Sequence, residues 1–124
     1  MSSVIRGSDD FNTDIIPAGR VASAWVNFNG IGVPAIRNSY NVASITDNGT
    51  GDYTLNYAVA LDDVNYCIVS TLRRNDDTSN SSSERLIALH RNLTISSSRM
   101  VCTQTAAATA QDPIYVWVQI FGGV

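Results

Sequence analysis

The sequence predicts an all-β fold: an antiparallel β-sandwich or jelly-roll-like barrel, in a single domain behind an extended N-terminal arm. Three observations carry this expectation. Apolar and polar residues alternate with period two in several short stretches. Turn-forming residues separate those stretches roughly every 8–12 residues, the spacing of sandwiches and barrels. The chain has 124 residues, enough for one core and too few for two of ordinary size.

Residues 1–20 form the arm. Ser2-Ser3, Gly7-Ser8, Asp9-Asp10, Asn12-Thr13-Asp14 and Pro17-Ala18-Gly19 are turn formers, and the apolar anchors among them are Val4, Ile5, Phe11, Ile15 and Ile16. Such a segment needs a surface to lie on, either its own domain or a neighbour, and the second is preferred here. The β domain spans 21–124. Ala24, Val26 and Phe28 alternate with Trp25, Asn27 and Asn29, and Tyr53, Leu55, Tyr57 and Val59 share one face of a strand over 53–59. Further strands are expected at 40–46, 66–73, 84–91, 99–105 and 114–121. Alternation fails between Val42 and Ile45, the mark of a bulge or an edge. Asp47-Asn48-Gly49-Thr50-Gly51 reads as a hairpin turn whose Asn-Gly pair supplies positive φ angles. Leu61-Asp62-Asp63-Val64-Asn65 is a second turn, 75–83 is an exposed loop, and 105–110 is the one candidate helical turn. In the last strand Ile114, Val116, Val118 and Ile120 share a face; Tyr115, Trp117 and Phe121 share the other with Gln119. That aromatic face is either a subunit interface or the second buried side of a central strand.

Composition narrows the function. The net charge is −3, and the eight basic residues, all arginine, are scattered along the chain. Arg73-Arg74 is followed at once by Asp76-Asp77, so no basic stripe exists for phosphates, and nucleic acid is not expected as a partner. No apolar run approaches the roughly 20 residues that cross a bilayer, and residues 1–10 lack a signal-peptide pattern. The absence of lysine and the abundance of Ser, Thr and Asn suit assembled subunits. Cys67 and Cys102 lie in apolar stretches and are expected to be free, buried thiols.

Candidates for chemistry are few. His90, the only histidine, sits on a predicted strand and reads as a sheet or interface residue. Asp9-Asp10, Asp62-Asp63 and Asp76-Asp77 are adjacent pairs in turns, and Glu84 is the only glutamate. No catalytic, cofactor or metal residue is assigned, and the chain is not expected to be an enzyme.

One long stretch is similar to a known family. Ala24-Trp25-Val26-Asn27-Phe28-Asn29-Gly30, continued by Ala35-Ile36-Arg37-Asn38-Ser39-Tyr40-Asn41-Val42-Ala43-Ser44-Ile45-Thr46-Asp47-Asn48-Gly49-Thr50-Gly51-Asp52-Tyr53-Thr54, resembles a segment recurring in bacteriophage and prophage tail-fibre proteins. The turn Leu61-Asp62-Asp63-Val64-Asn65-Tyr66-Cys67 follows, with Asp62 where the family usually has proline. Ile120-Phe121-Gly122-Gly123 is similar to the ending of such fibres. The likeness covers a little over a third of the chain. It implies a virion component made in the bacterial cytoplasm, a trimer of carboxy-terminal fibre domains, and no catalytic residues. Members are usually the ends of longer chains, whereas this one begins at its own Met1. The expected function is therefore a homotrimeric tail-fibre or receptor-binding tip that contacts a host surface glycan or protein. The alternative is a capsid or tail decoration or adaptor protein clamped to other virion proteins by residues 1–20. Candidate receptor contacts are Asn48, Asp52, Arg73, Arg74, Asp76, Asp77 and Arg85; candidate interface residues are Ile15, Ile16, Tyr115, Trp117 and Phe121.

Overall fold

The computed structural model describes residues 16–74, 86–104 and 109–124. Period-two alternation buries one side of each central strand: Ala24, Val26 and Phe28 on β1 (Ala22–Asn29), Tyr53, Leu55 and Tyr57 on β4 (Asp52–Tyr57), Ser98, Met100 and Cys102 on β7 (Ser97–Gln104), and Val116, Val118 and Ile120 on β9 (Tyr115–Gly122). The remaining strands are β2 (Ala35–Tyr40), β3 (Val42–Gly49), β5 (Tyr66–Arg73), β6 (Leu86–Arg91) and the short β8 (Thr109–Ala110). They form two antiparallel sheets, ordered β2-β1-β9-β5 and β3-β4-β7-β6, with β8 added to β7. The sheets pack face to face as a sandwich. Each large core side chain removed from water contributes about 1.5–3 kcal/mol. Edge-on aromatic pairs join the sheets, Phe28 to Tyr53 at 5.2 Å and Tyr57 to Tyr66 at 6.0 Å.

The region 35–49 differs from expectation. Instead of one strand over 40–46 there are two edge strands, one in each sheet, separated by Asn41 at φ 55°. Asn tolerates this left-handed geometry, and its amide is held by the carbonyls of Ser23 and Val59. The failed alternation at Val42 is indeed a bulge on an edge: the register of β3 against β4 shifts between Val42 and Ser44. A second bulge, between Asn27 and Phe28 in the β1–β2 pairing, leaves Arg37 as the extra residue.

Four other expectations are corrected. Asn48 has no positive φ; Gly49 at 130° and Gly51 at 65° turn the β3–β4 hairpin. Thr109–Ala110, expected in a helical turn, is strand β8, while 105–108 lie outside the described residues. Val59 lies beyond the end of β4 and is exposed. Cys102 is a free, buried thiol as expected, whereas Cys67, also free, is exposed because it falls on the outer side of β5.

Chain direction sorts the loops. The segment before β1, the 58–65 and 92–96 loops and the C-terminus lie at one end. The 30–34, 50–51 and 111–114 loops, the end of β5 and the start of β6 lie at the other. At the first end the resembling segments meet: the Asp62 amide donates to the Gly123 carbonyl at 2.6 Å, and Asp63 Oδ1 caps the Asn65 amide at 2.8 Å. Of the arm, Met1 to Ile15 fall outside the described residues. Its remainder forms a 3-10 turn at Ala18–Arg20 that packs on β9 and β1 of its own domain.

Gly51 marks where β4 cedes its place beside β7. Its carbonyl accepts from the Cys102 amide at 2.7 Å, and the Cys102 carbonyl then accepts from Gln111 at 3.1 Å as β8 takes over. A Cβ on Gly51 would stand 2.6 Å from both the Cys102 and Gln111 carbonyl oxygens, whereas one on Gly32 (φ 66°) would meet nothing. Gly51→Ala should therefore cost about 3 kcal/mol or more, and Gly32→Ala only the backbone term of about 1–2 kcal/mol. Denaturant melts of the two variants check this, and equal losses would contradict it.

Candidate binding surfaces

The described candidate receptor residues, Asn48, Asp52, Arg73 and Arg74, lie at the end of the sandwich opposite the N-terminal segment. Asp52, first in β4, points outward and receives a forked pair from Arg99 on β7, Nε at 2.8 Å and Nη2 at 2.7 Å. Arg91 Nη2 stands 3.9 Å away, and Asn48 Nδ2 reaches Asp52 at 3.5 Å and Thr54 at 2.8 Å. The Arg99 guanidinium holds the Asp52 carboxyl below the usual carboxylate range, so this charge is committed within the sheet. Arg73 closes β5 opposite Tyr115, and the Arg74 carbonyl accepts from the Ile114 amide. Asp76, Asp77 and Arg85 lie outside the described residues.

The same end is knitted from inside. The Tyr53 hydroxyl lies 2.8 Å from the Gly30 carbonyl and 2.8 Å from Asp112 Oδ1, which also accepts the Gly51 amide at 2.7 Å. Burial, followed by the Asp112 hydrogen bond, pushes the phenol's pKa far up and keeps it a donor. Burial likewise pushes the Cys102 thiol up to about 12, which removes its reactivity.

The outer face of β9 carries Tyr115, Trp117, Gln119 and Phe121. It is neither a second buried side nor bare. Tyr115 and Trp117 stack at 5.1 Å with planes 9° apart, and the Arg37 guanidinium lies 4.3 Å above Tyr115. Arg37 is fixed there by the Ile114 carbonyl at 2.7 Å and Asn27 Oδ1 at 3.2 Å. Phe121 is half-buried beside Ala22 and Cys67, Ile16 is exposed, and Ile15 lies outside the described residues. Beyond the stack, a shallow groove of about 340 Å³ runs between Trp25 and Trp117. The sequence shows which residues alternate but not which strands pair, so it does not reveal Trp25, Asn27 and Thr71 beside Trp117 or Arg37 over Tyr115.

His90 points inward from β6, and its Nε2 lies 3.0 Å from Ser70 Oγ on β5, a bond that ties the two sheets. Its Nδ1 is buried without a partner among the described residues, none of which places an acid there to orient the ring as a Ser-His-acid arrangement requires. Among the described residues, no group of three His, Cys, Asp or Glu side chains could hold a metal.

Burial lowers the His90 pKa below 6.5, so the unfolded chain takes up its proton at higher pH than the folded one. Stability from this group is full above about pH 6.5 and falls as the pH drops through that value. Asp52 acts later, since its contribution is present above 3.8 and lost as the pH falls through its lower folded value. The Tm should drop between about pH 7 and pH 5, and His90→Gln should remove that drop. A variant with the same pH profile as the wild type would contradict the assignment.

Comparison with protein-family models, with curated proteins and with solved structures returns no match.

Proposed function

We propose that the chain is a non-enzymatic binding module of a bacteriophage particle: a homotrimeric tail-fibre tip that contacts the host surface. The observation that carries this reading is the ordered resemblance of residues 24–30, 35–54, 61–67 and 120–123 to phage tail-fibre domains.

Two structural features support it. The described segment before β1 and the turn at 47–52, expected to touch a receptor, lie at opposite ends of a sandwich, the arrangement a tip needs if it attaches at one end and reads with the other. Large apolar side chains also remain exposed on β6, the strand that ends its sheet: Ile87 and Leu89, at 44 and 56%. A strip of this kind is suited to burial against further copies of the chain.

Analytical ultracentrifugation checks the assembly. The wild type should sediment at three times the mass of one chain, and Ile87→Arg with Leu89→Arg should give folded monomers. A monomeric wild type at micromolar concentration would contradict the trimer. Immunogold labelling of particles then separates the tip from a capsid decoration or tail adaptor: label at the distal end of fibres is expected, and label over the capsid lattice would overturn the receptor-binding assignment.

A further inference from the structure

We infer that the groove between Trp25 and Trp117, on the outer face of the β2-β1-β9-β5 sheet, is a binding subsite for a neutral saccharide. Only the source of that saccharide, the surface of the host bacterium, rests on the function proposed above.

Strand register builds the groove. Trp25, Gln119 and Val69 lie in one row across β1, β9 and β5, and Asn27, Trp117 and Thr71 form the next. All six side chains leave the same face of the sheet, with Val26 and Val118 beneath them. The lining offers two indoles, two amides, a hydroxyl and an isopropyl group, and no charged side chain. A pyranose presents the complementary surfaces: C–H faces that stack on an aromatic ring, and a rim of hydroxyls that pair with amides. Phosphorylated or acidic ligands would need a cation, and the Arg37 guanidinium beside the groove is already committed to Tyr115, the Ile114 carbonyl and Asn27 Oδ1. The volume of about 340 Å³ is at the small end of ligand sites, which suits one or two sugar rings.

The groove is also pre-organised. Trp117 is backed by Tyr115, and Tyr115 by Arg37, so one indole face is already occupied and its angle is set. Because Arg37 Nη1 donates to Asn27 Oδ1, the Asn27 amide is oriented with its Nδ2 donors available. Gln119 and Thr71 make no side-chain hydrogen bond among the described residues, so their polar groups are open to a ligand. Bulk burial by a protein partner would leave these amides to be satisfied by chance, whereas a hydroxyl-rich ligand satisfies them directly.

The test titrates the full chain with a panel of neutral probes (glucose, galactose, mannose, N-acetylglucosamine and their disaccharides), followed by tryptophan emission and saturation-transfer NMR. At least one probe should bind saturably. Trp117→Ala should weaken it by about tenfold or more, Trp117→Phe less, and Asn27→Ala severalfold, each with a cooperative melt. Thr46→Ala, on the opposite sheet, should leave binding unchanged. Absence of saturable binding across the panel, or wild-type affinity in both Trp117→Ala and Asn27→Ala, would overturn the subsite. So would loss of oligomerisation in Trp117→Ala without sugar binding, which would make this face a subunit interface and leave the fibre-tip reading standing. Sugar binding lost in Trp117→Ala while host adsorption is unchanged would keep the subsite and remove its role as the host contact.

Discussion

A single buried hydroxyl joins the two sheets at the end of the molecule where the loops gather. Tyr53 belongs to β4, yet its oxygen meets the carbonyl that ends β1 and the carboxylate of Asp112, which leads into β9. Asp112 in turn holds the Gly51 amide, and Gly30 donates to the Pro113 carbonyl at 2.9 Å. Three chain segments thus converge on one phenol that has no other way to satisfy its polarity. A buried polar network fully satisfied in this way specifies one arrangement, since breaking any member leaves the others desolvated and unmatched. The close approach explains the glycines as well: a Cβ on Gly30 would collide with the Tyr53 hydroxyl, and one on Gly51 with two backbone carbonyls.

The consequence reaches the outer surface. Residues 111–114 deliver β9 into the sheet, and the Ile114 carbonyl anchors Arg37 over Tyr115. The stack that sets Trp117 begins at the segment Tyr53 holds. Interior clamp and exterior groove are consecutive parts of one chain path, which gives the aromatic face a defined shape in the absence of any ligand. At the opposite end a second set of bonds does similar work: Tyr66 reaches the carbonyls of Thr94 and Ser97 at 2.9 and 3.1 Å, and Asn41 bridges Ser23 and Val59.

What the sequence reveals follows from alternation. Ala24, Val26 and Phe28, or Val116, Val118 and Ile120, identify themselves as core because a central strand of a sandwich has one wet side and one dry side. The Val42–Ile45 irregularity announces the bulged edge for the same reason. β2 escapes notice because its bulge at Arg37 puts Ile36 and Ser39, three apart, on the inner side and leaves no period to read. That same bulge presents Arg37 to Tyr115, so the residue that hides the strand helps to build the groove. Asp52 reads as a loop charge because hairpin register, which places Arg99 beside it, is a property of pairing and not of local sequence. Cys67 reads as buried because its neighbours are apolar, whereas only the parity of its position on β5 decides its side.

The most direct measurement of this account is amide hydrogen exchange in Tyr53→Phe, which removes one oxygen and keeps the ring against Phe28. The variant should lose protection locally, at the amides of Gly51, Gln111 and Ile114, while those of Tyr57 and Leu61 at the far end stay as slow as in the wild type. Unchanged exchange at the first group, or a uniform acceleration at both ends, would contradict the central place given to this hydroxyl.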